Sequence, residues 1–233
     1  MTHITLIYAY FENGQMLDRH LKEWRSYSNK ENFSAIIVDD CSKRDPAIDH
    51  FKDIDFPFPI QLYRINTDIP WNQNGARNLA MTHAQGWCLI TDMDHLLSAE
   101  NAQRLTETTL DPSKVYRPAR VKASTGLPHK LHLNSYILTQ DLYWKAGGYD
   151  EAFCGYYGSD STFRSQLSKV AERIDLEIPL ILFGREVIAD ASTVDYGRKE
   201  SEYYVAAHPE IRKRRRQRLD PIPPLNFEWE RLI

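Results

Sequence analysis

Hydrophobic and polar positions follow two rhythms through the first half of the chain. Ile4-Thr5-Leu6-Ile7-Tyr8-Ala9-Tyr10 is a β-branched and aromatic run closed by the turn residues Glu12-Asn13-Gly14, which predicts a strand. Leu17, Leu21 and Trp24 then recur at i, i+4 and i+7, one face of a helix. Ser34-Ala35-Ile36-Ile37-Val38 is a second short strand, and it ends in Asp39-Asp40-Cys41-Ser42. Strand, helix, strand at this spacing is a βαβ unit, so the two strands should be parallel with a right-handed crossover. Their near-continuous apolar character fits a sheet covered on both faces.

The pattern continues with a two-proline loop over 53–59 and a third strand, Ile60–Ile65. Asn74 or Gly75 is placed to cap a helix that carries Arg77 and Asn78 early and Ala76, Leu79 and Ala80 on its apolar face. That helix feeds a strand over Trp87–Asp94, and Ser98 begins another helix through Leu105. Beyond Asp111-Pro112 the texture changes. Residues 115–119 and 131–138 read as strands about the Ser124–Pro128 turn, and Thr139 caps a short helix stopped by Gly147-Gly148. A glycine- and aromatic-rich loop, Tyr149 to Asp160, opens a helix through Phe163 and Leu167; Ile178–Ile188 supplies one or two more strands. The pattern predicts an α/β fold with a mixed, mostly parallel central sheet flanked by helices. One domain covers 1–195, with a nucleotide-binding half over 1–110 and an acceptor-side half over 111–195, followed by a polar, basic extension over 196–233.

Candidate chemistry gathers where strands end. Trp87-Cys88-Leu89-Ile90-Thr91 stops at Asp92-Met93-Asp94-His95, two carboxylates at i, i+2 followed by a histidine. On a continuing strand that spacing puts both side chains on one face. The carboxyl ends of parallel strands form the crevice in which open α/β sheets bind ligands. Hard divalent cations take one or two carboxylates and complete their shell with water and phosphate oxygens. Tyr10, Asp39-Asp40 and Asp92–Asp94 should therefore line one edge: Tyr10 to stack on a base, Asp39 to accept from a base or ribose, Arg77 to neutralise phosphate. Each also has a plainer reading: Tyr10 as a core aromatic, Asp39–Ser42 as a capping turn, Arg77 in an ion pair, His95 as a structural residue.

Composition changes the picture little. The chain of 233 residues has 42% hydrophobic and 26% charged residues and a net charge of -3, ordinary globular values that do not favour nucleic acid. Three cysteines without metal-type spacing fit a reducing compartment, and no apolar run reaches the ~20 residues that span a bilayer. The N-terminus lacks a secretory pattern, so the sequence predicts a cytoplasmic protein. The exception is Arg212-Lys213-Arg214-Arg215-Arg216-Gln217-Arg218, which reads as a solvated face or as peripheral attachment to an anionic membrane.

Four of these segments, Leu6–Tyr10, Ile37–Ser42, Gly75–Ala80 and Thr91–Asp94, resemble in order the signatures of inverting GT-A glycosyltransferases of the family 2 type. Ala146-Gly147-Gly148-Tyr149-Asp150-Glu151-Ala152-Phe153-Cys154-Gly155-Tyr156-Tyr157-Gly158-Ser159-Asp160 resembles the acceptor-side motif of β-1,4-galactosyltransferases and chondroitin-type polymerases. The resemblance, over residues 4–165, implies a Rossmann-like GT-A fold. It also implies metal-dependent transfer of a hexose or N-acetylhexosamine from a UDP-sugar to a hydroxyl of a glycan or lipid-linked acceptor. It implies that Tyr10 and Asp39 hold the uracil, Arg77 contacts the donor, Asp92 the ribose or sugar, and Asp94 the Mn²⁺ or Mg²⁺. Asp160 falls on the catalytic base. The third metal ligand has no clear match; Asp190 is the candidate and Asp195 the reserve. Ser159 and Tyr156-Tyr157 depart from the motif, so donor sugar identity does not transfer. Two rival readings are a sugar nucleotidyltransferase, which would want a lysine-containing phosphate loop after the first strand, and a non-catalytic GT-A-like scaffold.

Overall fold

The structure, a computed structural model, describes residues 1–52, 55–154, 160–192 and 225–233. In chain order the elements are β1 (Ile4–Tyr10), α1 (Gly14–Trp24), β2 (Phe33–Asp39), β3 (Ile60–Ile65), α2 (Gln73–His83), β4 (Trp87–Asp92), β5 (His95–Leu96) and α3 (Ala99–Glu107). They continue with β6 (Lys114–Lys122), β7 (Pro128–His129), β8 (Tyr136–Thr139), α4 (Gln140–Lys145), α5 (Asp160–Val170), β9 (Glu172–Leu182) and β10 (Trp229–Arg231). The sheet runs β10-β3-β2-β1-β4-β8-β6-β9-β5, with β7 paired to β6. β3, β2, β1 and β4 are mutually parallel, while β8 and β10 add antiparallel to β4 and β3.

Period-2 alternation explains why the parallel strands are apolar throughout. Leu6, Tyr8 and Tyr10 of β1 pack with Met16, Leu17, Leu21 and Trp24 of α1 on one face. Ile7, Ile36, Val38 and Ile90 face the other way, onto Ala76, Leu79 and Ala80 of α2 and Phe163 and Leu167 of α5. Both faces of the sheet are therefore dry, the arrangement parallel strands require. Register aligns the strand ends: Tyr10 pairs with Asp39 and Ala9 with Asp92, so the ends of β1, β2 and β4 lie side by side at one edge of the sheet.

Several boundaries differ from the sequence expectation. β4 stops at Asp92, because Met93-Asp94 turn the chain into β5, so Asp94 stands on a turn rather than on a continuing strand. The cap of α2 is Asn72, not Asn74 or Gly75; its side-chain oxygen accepts from the Gly75 N–H at 3.2 Å. Residues 131–135 form a loop leading to a short β8, and β9 is one strand that begins six residues before Ile178. Residues 225–233, expected in a polar extension, return to the sheet as β10 on the edge of β3, where Trp229 lies edge-on to Tyr63 and His83. That pairing covers an otherwise open strand edge. The basic run 212–218 and Asp195 lie outside the described residues. Among the described residues no helix is long and apolar enough to cross a membrane.

Candidate active site

The strand-end carboxylates are organised around a buried guanidinium. α2 brings Arg77 to Asp92 at the end of β4, with which it forms an ion pair. Gln73 Nε2 donates to the same oxygen, Asp92 Oδ1, at 2.9 Å, and His132 Nε2 lies 3.4 Å from Oδ2. Burial pushes the Asp92 carboxyl up, but attraction led by the Arg77 cation and its hydrogen bond outweighs it and holds the group below the usual carboxylate range. Arg77 is only 1% exposed, so it is a counter-ion beneath Asp92 rather than a group on the open surface of the crevice.

What holds Arg77 in place is legible in the loop after α4. Gly147 and Gly148 take positive φ values of 95° and 65°, and their N–H groups close the helix on Trp144 O and Tyr143 O. Glycine adopts this geometry without the Cβ penalty. The chain then delivers Tyr149, whose N–H donates to Asn78 Oδ1 at 3.0 Å and whose carbonyl accepts from Asn78 Nδ2 at 2.8 Å. Its ring lies under the Arg77 guanidinium, 4.9 Å from the centroid, and against Phe163 of α5. Two guanidinium nitrogens, Nε and Nη1, and the Tyr149 hydroxyl are buried there without hydrogen-bond partners among the described residues. Asp160, the first residue of α5, is close enough for its charge to favour the Arg77 cation, and it pairs with Arg164 one turn on at 3.7 Å. Asp92 and Asp160 thus flank one cation. The residues between Cys154 and Asp160, including Tyr156, Tyr157 and Ser159 of the acceptor-side motif, lie outside the described residues.

Asp94 sits on the turn, with Oδ1 accepting from His95 Nδ1 at 2.5 Å. Arg120 Nη1 donates to the other ring nitrogen of His95 at 3.0 Å. His132 stacks on His95 with centroids 4.3 Å apart. Burial and the cations around it push His132 down to about 3 although Asp92 pulls the other way, so its ring is neutral.

Other sequence-predicted residues have different roles. Tyr10 is fully buried in the core and its hydroxyl donates to Asp45 O at 2.6 Å, so its ring offers no open face to a base. Asp39 is fully buried too; its oxygens accept from Ser42 N at 2.8 Å and Ala47 N at 2.9 Å, which fixes the loop after β2. Asp190 is not with Asp92 and Asp94. Its carboxylate accepts from Gln15 N at 2.7 Å and Met16 N at 3.1 Å, capping α1 from a distant part of the chain. Helix N-termini leave such N–H groups unsatisfied, and an acid is the favoured partner. Among the described residues no three His, Cys, Asp or Glu side chains are grouped to hold a metal ion.

Four residues were missed as site members. His132, Arg120 and Gln73 reach Asp92 or His95 from other elements, and no spacing along the chain signals that. Asp40 was visible beside Asp39 but was assigned no role. Burial pushes it up to about 7, with Asp39 and Asp68 adding to the effect against the Asn72 N–H, and its Oδ1 is buried with no hydrogen-bond partner among the described residues.

Solved structures share this architecture. TarS 1–349 of S. aureus superposes with a TM-score of 0.64 at 16% identity, covering 82% of this chain and 63% of that one. The same protein in complex with UDP-GlcNAc gives 0.63 at 14% identity, covering 83% and 62%. The mannosyltransferase PcManGT from Pyrobaculum calidifontis, in complex with GDP-Man and Mn²⁺, gives 0.61 at 14% identity, covering 77% and 56%. The chain thus spans less than two thirds of the length of each of these proteins. No curated protein matches it. Residues 5–175, most of the chain, match the model of glycosyl transferase family 2, and the chain belongs to that family.

Proposed function

We propose that the protein transfers a hexose or N-acetylhexosamine from a UDP-sugar to a hydroxyl of a glycan or lipid-linked acceptor, with inversion and with a divalent cation at Asp94. The observation that supports this reading is the convergence of the β4 end and the α5 start on Arg77: Asp92 pairs with it and the charge of Asp160 favours its cation, with Asp94 two residues beyond Asp92. The relatives in complex with UDP-GlcNAc, and with GDP-Man and Mn²⁺, support a nucleotide-sugar donor at this edge.

The residues present fit a cation held by one carboxylate and by phosphate oxygens. Asp94 Oδ1 is engaged by His95, which leaves Oδ2 available, whereas both oxygens of Asp92 are already met by Gln73, Arg77 and His132. When bound, Mn²⁺ or Mg²⁺ would offset negative charge on the departing nucleoside diphosphate. Asp92, fixed from three sides, is oriented for a donor hydroxyl. Asp40 replaces Asp39 as the residue offering a carboxylate oxygen to a base or ribose N–H or O–H, because both Asp39 oxygens are spent on the backbone. Inversion is a single in-line displacement, so a carboxylate must take the acceptor proton opposite the leaving group; Asp160 is that base.

Thermal unfolding with UDP, UDP-glucose, UDP-galactose, their N-acetyl forms and GDP-mannose, each with and without Mn²⁺, tests the donor site. A ligand at 100 times its Kd adds about 2.7 kcal/mol. A Mn²⁺-dependent shift with a UDP ligand that disappears in Asp94→Ala is the expected result; no shift with any UDP ligand refutes it. Asp160→Asn should bind donor as wild type does while losing about 10²- to 10⁴-fold in transfer rate. Near-normal transfer by that variant would remove Asp160 as the base.

A further inference from the structure

Hydrogen-bond polarity at His95 has only one solution. Arginine carries donors and no acceptor, so the ring nitrogen facing Arg120 Nη1 at 3.0 Å must accept and carry no proton. The single N–H of the ring therefore resides on Nδ1, where it donates to Asp94 Oδ1 at 2.5 Å. Arg120 is itself fixed: it is 8% exposed, and its Nε donates to Lys130 O at 2.9 Å across the β6–β7 turn region. The His95 ring is 1% exposed, stacked on His132, and its carbonyl accepts from the Tyr8 hydroxyl. A chain of directed contacts thus runs from β6 through β5 to the turn bearing Asp94.

We infer that Arg120 is a positioning residue that orients Asp94 through His95, so that Asp94 Oδ1 is held by the His95 Nδ1–H and Oδ2 faces the nucleoside diphosphate and its cation. The inference rests on the donor-site reading above. His132 completes the device: stacked on His95 and 3.4 Å from Asp92 Oδ2, it ties the two carboxylates to a common pair of rings. Partners of this kind, which fix the tautomer and orientation behind a metal-binding group, change metal affinity by roughly 10- to 100-fold when removed.

Two measurements on the full chain test it. The first needs no metal: ¹⁵N spectra of the imidazole rings should show His95 as the Nδ1–H tautomer in wild type and a loss of that preference in Arg120→Met. An Nε2–H ring in wild type overturns the inference. The second is Mn²⁺ uptake in the presence of UDP, read from the electron paramagnetic resonance of free Mn²⁺. Arg120→Met should weaken uptake by roughly 10- to 100-fold while leaving metal-free UDP binding unchanged. His95→Asn, which keeps a donor near the Nδ1 position, should retain most of the affinity, and His95→Leu should lose it. In the His95→Asn background Arg120→Met should have no further effect, because the two residues act in series. Unchanged Mn²⁺ uptake in folded Arg120→Met or His95→Leu overturns the inference, as does a simple sum of the two effects in the double variant. Wild-type protein that takes up no Mn²⁺ with UDP overturns the donor-site reading, and the ring spectra then still decide whether Arg120 sets His95.

Discussion

Asp40→Asn should make the protein more stable at alkaline pH and change little at acidic pH. Asp40 stands just past the end of β2 with one oxygen accepting from the Asn72 N–H and the other, Oδ1, buried without a partner among the described residues. Burial is the main cause of its rise from 3.8 to about 7, and the neighbouring Asp39 and Asp68 charges add to it. At 1.36 kcal/mol per pH unit, that gap corresponds to about 4 kcal/mol of unfavourable native-state ionisation. The sign follows from proton counts. Below about pH 4 the carboxyl is protonated in both states and costs nothing. Between about pH 4 and 7 the native state keeps a proton that the unfolded chain has released, so stability falls as pH rises and levels off above the native value. Asparagine is neutral throughout and keeps an oxygen for the Asn72 N–H. The assay is urea unfolding of wild type and Asp40→Asn at pH 4 and pH 8, taken as a difference of differences so that other titrating groups cancel. The variant should gain about 4 kcal/mol over wild type between the two pH values, a large share of a typical domain's stability. A gain below about 1 kcal/mol would mean that Asp40 ionises at little cost, and the unpartnered oxygen would have no energetic meaning.

Arg77→Met should destabilise the fold by about 3–5 kcal/mol in urea unfolding, since it leaves Asp92 part-buried without its cation; a loss under about 1 kcal/mol would make Arg77 dispensable to the fold. Asp190→Ala should cost about 0.5–2 kcal/mol through the lost cap on α1, with Mn²⁺ uptake unchanged; weakened uptake would return Asp190 to the metal site. At Gly75 an added Cβ would stand 2.4 Å from Asn72 Oδ1 and 2.5 Å from Phe227. Gly75→Ala should therefore cost about 1–3 kcal/mol and speed amide exchange at Trp229–Arg231; unchanged exchange there would separate the end of the chain from the α2 start.

Local pattern settled a good deal of this protein. Apolar runs of strand length, a helix marked by Leu17, Leu21 and Trp24, and acids at the ends of β2 and β4 mark parallel strands whose carboxyl ends share an edge in a sheet buried on both faces. Ser98, Thr139 and Gly147-Gly148 marked helix ends because capping is chemistry between residues a few positions apart. Tertiary structure decided what each polar side chain does. Asp39 and Asp190 are as acidic as Asp94 in the sequence, but their oxygens are consumed by backbone N–H groups that only the folded chain brings near them. Arg77 reads as a surface cation until Tyr149 and Asp92 close over it. His132 and Arg120 join the site from 40 and 28 positions beyond Asp92, through contacts with Asp92 and His95. Periodicity reports which face of an element is buried, because burial depends on the element's own geometry. A hydrogen-bond partner depends on which distant elements pack together, and only the three-dimensional fold carries that.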